Sequence, residues 1–423
     1  MNIKIEKKTL SEVLALKKEK KFIPKKPNML FRTLLKVLSS ADLKHTNFQA
    51  QKIGMEKLGK KEPCLILMNH SSFIDLKIAE TLFYPRPLNI VTTFDGFVGM
   101  RWLMRQLGCF PTKKFVPEMQ VIKDIHYCIE KLKTSVLLFP EAGYSFDGTA
   151  TTLPESLGKF IKHLKVPVVT VISMGAFSRQ PLFNNLHRRK VNVSAKMEYL
   201  LSPSDIASLS AAEINEKIAK AFTFDAFAWQ KDNGIIINEP NRAEGLNRLL
   251  YKCPNCLAEG KMVGEGDTLS CKQCGKVYRM TEQGSMQALE GETEIPHIPE
   301  WYVWERNAVK EELLNGSYRL DDEVEIFTLV NMKKLYTIGS GRLVHTTDGF
   351  TLYGENGEIV HEQKPLFTYS LNVDYYWYEI GDVICIGNSE ITYCCVPKNP
   401  ETPVTKARLA AEELYKLKKS KQL

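Results

Sequence analysis

Four short apolar runs constrain the fold of this 423-residue chain more than any other feature: Cys64–Met68, Leu88–Thr92, Ser135–Phe139 and Val166–Ile172. Each is too short for an ordinary helix and too apolar for a loop. A strand buried on both faces is what remains. Between them lie stretches with helical character: one opening at Asp75, one over Val121–Lys133 and one over Leu157–Leu164. Buried strands alternating with helices predict an α/β domain, a mixed sheet flanked by helices. In such sheets functional groups gather just past the carboxyl ends of strands. His70 follows the first run and Glu141 the third.

His70 is the only one of the eight histidines with an aspartate five residues on, Asp75. A substrate hydroxyl is a weak nucleophile until a base takes its proton, and histidine titrates near working pH. A carboxylate beside it fixes the tautomer and stabilises the imidazolium. Five residues along a straight helix turn about 500°, which would part the two side chains. They can meet if His70 stands on the turn after the strand and Asp75 in the first helical turn. By spacing alone, a turn or capping histidine is favoured.

Three further segments extend the pattern: Gly108–Lys114 (GCFPTKK), Phe139–Ser145 (FPEAGYS) and the proline-bearing apolar strand Val166–Val171. With Asn69–Asp75 (NHSSFID), they resemble in order and interval the four motifs of the glycerolipid acyltransferases, the lysophosphatidic acid acyltransferase family. The resemblance covers roughly residues 60–235. It implies that His70 deprotonates an acceptor hydroxyl while Asp75 holds the ring. The hydroxyl would attack the thioester of acyl-CoA or acyl carrier protein, with no covalent acyl-enzyme and no metal or redox cofactor in the step. The acceptor it implies is 1-acylglycerol-3-phosphate (lysophosphatidic acid) or a related lysolipid in phospholipid biosynthesis. Lys113, Lys114 and Gly143 would face it, and Glu141 would hold either backbone or substrate hydroxyls at the strand end.

The sequence departs from the family where that acceptor's phosphate would be gripped. The second motif usually ends in arginine and here ends in Lys113-Lys114; lysine keeps the charge but not the two-pronged fork. The third-motif arginine falls on Gly143, or on Tyr144 when counted from Glu141. Arg179, Arg188, Arg189 and Lys190 could compensate from downstream. Alternatively the acceptor carries no phosphate, or the chain is a non-catalytic, regulatory member that binds lipid or protein.

Cys253-Pro-Asn-Cys256 and Cys271-Lys-Gln-Cys274 form two CxxC units separated by fourteen residues. Two such knuckles offer four thiolates to one tetrahedral ion, which predicts a zinc ribbon. Four protein ligands leave no open position, so the zinc would be structural. Between the knuckles Lys261 faces Glu265 and Asp267, a balance that gives no nucleic-acid footprint. Beyond Trp301 the chain reads as β-rich and aromatic, closing on a helix opened by Thr402-Pro403. That pattern looks loosely like a pleckstrin-homology-type module.

The formal net charge of +8 is an N-terminal property. Residues 1–61 hold fifteen lysines and one arginine against five acids, a net +11, so the remainder sums to −3. A basic helix is expected over 1–26, broken by Pro24 and Pro27. An amphipathic helix follows from Met29, with Leu30, Leu34, Val37 and Leu38 able to lie in a membrane interface or pack on the next domain. No apolar run reaches the roughly 18 residues of a spanning helix, and no secretory apolar region follows the N-terminus. A cytoplasmic protein peripheral to the inner membrane face is expected, with Cys64, Cys109, Cys128, Cys385, Cys394 and Cys395 as reduced core thiols. The expected division is a basic amphipathic region (1–60), an acyltransferase domain (61–240), a zinc ribbon (245–285) and a β-rich C-terminal domain with a terminal helix (300–423).

Overall fold

The apolar runs pair with one another as the interior of a sheet. In the computed structural model, which describes residues 3–16 and 22–423, Leu65–Met68 is fully buried and hydrogen-bonds to strands on both sides. Its Ile66 stands opposite Leu137 on one neighbour and Val169 on the other. Across the seven-stranded sheet the order is Gln49–Ile53, Ser194–Leu201, Val168–Met174, Leu65–Met68, Ser135–Leu138, Leu88–Thr93 and Cys109–Thr112. All pairings are parallel except that between Ser194–Leu201 and Val168–Met174. The sheet is therefore mixed, the runs pairing in parallel and Ser194–Leu201 running antiparallel to its neighbour Val168–Met174. Gln49–Ile53, Cys109–Thr112 and Ser194–Leu201 were not among the expected strands: the outer ones alternate or carry proline, so their apolar signal is weak.

Helix Met29–Lys44 forms, but with its faces reversed from a core-packing helix. Leu30 (74%), Leu34 (54%), Val37 (61%) and Leu38 (61%) are exposed, while Arg32 is buried. The guanidinium donates to both carboxylate oxygens of Glu80, at 3.1 and 2.8 Å, and to the Arg86 carbonyl. Two salt bridges to Asp42, from Lys77 at 2.6 Å and Arg179 at 2.8 Å, tie the same helix to the domain. The helix expected over 1–26 does not form in the described residues: Ile5–Lys7 is a strand and only Leu10–Leu14 is helical, while residues 17–21 lie outside the described set.

The cysteine-paired module is a four-stranded antiparallel sheet, Met262–Glu265, Thr268–Cys271, Val277–Met280 and Met286–Ala288. Past it the expected β structure begins at Leu320, and the stretch from Trp301 to Asn315 is helical instead. Ile298–Asn315 is an eighteen-residue helix, with Pro299 in its first turn and Gly316 at φ +76° ending it. Trp301 is fully buried against Tyr278 (ring centroids 5.1 Å), and its indole N–H donates to the Lys252 carbonyl at 3.0 Å. Aromatic composition could not distinguish a helix that crosses a core from strands that line one.

The C-terminal sheet runs in the order Ile359–Gln363, Gly349–Gly354, Leu335–Thr346, Leu320–Leu329, Thr392–Pro397, Gly381–Gly387 and Asn372–Trp377, antiparallel throughout. Helix Val404–Lys419 closes it. Ile5–Lys7 joins as a parallel partner of Leu335–Thr346, so the N-terminal chain is stitched into the C-terminal half. Phe146, the residue after the third motif, packs on Tyr375 (4.7 Å) and under the Arg408 guanidinium (4.3 Å), fixing this sheet against the first.

Candidate active site

The chain leaves strand Leu65–Met68 at Asn69, whose side-chain oxygen accepts the Ser173 N–H (2.8 Å) while its amide donates to the Ser173 carbonyl (3.1 Å). This clamp locks the His70 turn to the end of the neighbouring strand. Helix Ile74–Phe83 starts four residues later with Asp75 in its first turn, where a carboxylate is favoured by the unpaired amides. Asp75 Oδ2 accepts the N–H groups of Ser71 (2.7 Å) and Ser72 (3.0 Å) and lies 3.0 Å from His70 Nδ1. Its Oδ1 accepts the Ser173 hydroxyl at 3.2 Å. A fully buried carboxylate is thus satisfied by four donors. It holds the ring with Nδ1 protonated and leaves Nε2 as the basic nitrogen. The ring stacks on Phe139 (4.0 Å) and leans on Tyr144 (4.3 Å).

Glu141 stands behind this turn rather than in front of it. One oxygen accepts the His70 N–H at 2.8 Å and the other the Thr151 N–H at 2.9 Å. Burial pushes its carboxyl up to about 7 against the pull of those two amides. The expectation that it faces substrate is corrected: both oxygens are spent on backbone. Ser145 adds a third brace, its N–H donating to the His70 carbonyl at 2.8 Å.

His70 opens on a cavity of about 1500 Å³. That exceeds the few hundred to about 1,000 Å³ usual for one small ligand and has room for two lipid-like reactants. Leu76, Ile90, Ile122, Ile125 and Phe160 give it an apolar arm. Asp374 and Trp377 of the C-terminal sheet line it too, with Leu366 and Tyr369 from the segment just before that strand.

The geometry decides what the sequence left open at the phosphate motifs. Lys113 lines the cavity, but its ammonium is taken up by main chain, donating to the carbonyls of Asn388 (3.3 Å) and Ser389 (2.7 Å) in a C-terminal loop. Burial lowers it to about 8, opposed by the charges of Glu118 and Glu390. Lys114 lines the cavity and shares a field with Asp374. Gly143 lies outside the lining, and a side chain there would meet nothing within 4 Å. From the third motif Phe139, Pro140, Ala142 and Tyr144 line the cavity, on a turn with Ala142 at φ +57°. The downstream cations are absorbed elsewhere: Arg179 and Arg188 on Asp42, and buried Arg189 on the Arg242 carbonyl (2.8 Å).

Residues 49–174 match the acyltransferase family model. The matched span opens on the edge strand Gln49–Ile53 and ends at Met174, taking in every motif strand and Ser173. A structure of the 1-acyl-sn-glycerophosphate (LPA) acyltransferase PlsC from Thermotoga maritima is similar at 17% identity, covering 45% of this chain and 76% of that one with a TM-score of 0.34. No curated protein matches the chain in sequence. Within the acyltransferase domain, Ser173, Asn69, Thr151 and Asp95 escaped the sequence reading. Ser173 alone left a signal there, as a polar residue closing an otherwise apolar run.

The four cysteines lie outside the matched span and converge. Cys253 and Cys274 sulfurs are 3.8 Å apart, Cys256 and Cys271 3.7 Å, and all four lie within 4.8 Å of one another. Four thiolates about 2.3 Å from a zinc ion have tetrahedral edges of about 3.8 Å, so the donor set and spacing fit that ion. The fully closed ligand set would hold it in a structural role. No helix among the described residues is long and apolar enough to cross a membrane.

Proposed function

We propose that this chain is an acyltransferase that moves a fatty acyl group from acyl-CoA or acyl carrier protein to a lysolipid hydroxyl, lysophosphatidic acid being the reference acceptor. The observation that carries the reading is the His70–Asp75 pair, 3.0 Å apart on a turn braced from three sides and facing a large, partly apolar cavity. His70 Nε2 takes the acceptor's proton as its oxygen attacks the thioester carbonyl. The tetrahedral intermediate then breaks its C–S bond, and the leaving thiol recovers the proton from His70. Asp75 stabilises the transient imidazolium without being protonated. Glu141 and Ser173 act as positioning residues.

Peripheral membrane association belongs to the same reading. Beside the outward Leu30, Leu34, Val37 and Leu38, Phe31 meets Trp102 edge to face (5.2 Å), and Trp102 is 64% exposed. Helix Arg101–Gln106, which carries Trp102, also lends Met104 to the cavity. An apolar face with flanking lysines suits an anionic bilayer. Zinc in the four-cysteine cluster is the proposed structural cofactor. The antiparallel C-terminal sheet capped by a helix supports a pleckstrin-homology-type reading.

A second acceptor class is favoured by one observation: both lysines expected to grip phosphate line the cavity, but Lys113 already spends its ammonium on the Asn388 and Ser389 carbonyls. The test gives zinc-replete protein labelled acyl-CoA and lysophosphatidic acid on anionic vesicles, beside His70→Ala. Product that vanishes in the variant is expected. Product that persists in His70→Ala would remove His70 as the base; silence with every donor and lysolipid would favour a binding role.

A further inference from the structure

The cavity has a polar end that both halves of the chain build. Asp95 and Lys114 come from the acyltransferase domain, and Asp374 from the C-terminal sheet, where it is half-buried. Tyr378 of that sheet places its hydroxyl 3.4 Å from the Asp95 carboxylate, holding the two walls together. Tyr144, the residue leaning on the His70 ring, lines the same cavity as Asp95, Lys114 and Asp374.

We infer that this polar end binds an acceptor whose head is neutral and carries several hydroxyl groups, with Asp374 as a specificity-determining residue. The inference rests on the acyl-transfer reading above. Two carboxylates accept hydrogen bonds and one ammonium donates them. A hydroxyl does both, so a polyol head can use all three groups at once. A phosphate monoester, at about −1.5 to −2 charge, can use only Lys114 and must sit beside two like charges. An ammonium head can use only the carboxylates and meets Lys114. The same logic fits the Lys113 ammonium being taken up by main-chain carbonyls at the cavity's edge and the third motif lending the cavity Tyr144 and no arginine.

The experiment uses the full chain with acyl-CoA and three acceptors of equal acyl length: a monoacyl galactosylglycerol, lysophosphatidic acid and lysophosphatidylethanolamine. The glycolipid is expected to show the highest kcat/KM. Asp374→Asn should raise its KM about tenfold, with the KM for acyl-CoA and the melting temperature unchanged. A preference for either phospholipid, or an Asp374→Asn acceptor KM equal to wild type, would overturn the inference while leaving acyl transfer intact. Binding of the same three lipids to His70→Ala by calorimetry separates the two readings. If nothing is acylated yet the glycolipid binds tightest and loses affinity in a His70→Ala/Asp374→Asn double variant, acyl transfer fails and the head-group inference stands. If lysophosphatidic acid binds tightest, the inference fails.

Discussion

The two walls of the cavity are made differently. The His70 wall is local: seven consecutive residues, Asn69–Asp75, supply the base, its carboxylate and two of the amides that hold it, with Ser173 and Glu141 reaching in from adjacent strand ends. The facing wall is assembled from residues hundreds of positions apart, Lys114 and Asp95 against Tyr369, Asp374 and Trp377. A local cluster survives as long as one sheet survives. A remote one depends on every contact that docks the two halves. In this chain the reaction chemistry belongs to the first kind and acceptor recognition to the second.

Removing the metal is the largest way to break that comparison. The ribbon cysteines Cys253 and Cys271 share one core with Tyr278, Trp301, Tyr375 and the inner face of the C-terminal sheet. Binding of structural zinc by four thiolates contributes on the order of 10 kcal/mol to folding of such modules. Zinc-stripped protein should therefore lose about 10 °C or more from the melting transition of its C-terminal half while the acyltransferase sheet melts as before. Calorimetry with metal analysis checks this. One unchanged transition in protein stripped of metal would mean that the four cysteines hold no structural ion.

The local wall is broken from within by Asp75→Asn. An amide at this position cannot accept the Ser71 and Ser72 N–H groups, the Ser173 hydroxyl and the His70 Nδ1–H all at once. The histidine is freed to take the wrong tautomer, a change that costs about 10³–10⁴ in kcat in comparable His–Asp pairs. Steady-state kinetics should show that loss in kcat with little change in either KM, the reverse of the pattern expected for Asp374→Asn. Equal KM effects from the two variants would erase the distinction between the walls.

This contrast also explains what could be read from the sequence. The His70–Asp75 pair and the two CxxC knuckles announce themselves because each is encoded within a few residues, and the strands Leu65–Met68 and Ser135–Leu138 because burial on both faces demands unbroken apolar runs. The helical spacing from Met29 was legible too, but not which way it faces. That is settled by Arg32 meeting Glu80, forty-eight residues away. Lys113 read as a phosphate ligand because a lysine in that motif is a cation wherever it points. Its capture by the Asn388–Ser389 carbonyls is a tertiary fact with no local trace. Asp374 was invisible for the same reason: one aspartate in an aromatic strand carries no sign of the cavity it helps to close.

The smallest effect falls on the remote wall's own sheet and is read by pH. His345 is buried in it, its ring stacked on Phe350 at 3.7 Å and its Nδ1 2.9 Å from the Tyr318 hydroxyl. Burial with no compensating charge pushes it from 6.5 down to about 3. The folded-state pKa is thus below the unfolded one, so the unfolded chain binds the proton first. The stability this residue permits is complete above about pH 6.5 and declines as pH falls toward 3, by roughly 1 kcal/mol per pH unit in that window. Glu141 in the local wall has the opposite sign. Its raised pKa of about 7 means that its ionisation costs stability as pH rises from 4.5 to 7. His345→Gln keeps an acceptor for Tyr318 and removes the titration. Urea melts between pH 4 and 7 should therefore show a shallower acid loss in the variant than in wild type, confined to the C-terminal transition. An identical slope would mean that His345 takes up its proton while folded, and that the sheet behind the acceptor wall opens to water more readily than its packing implies.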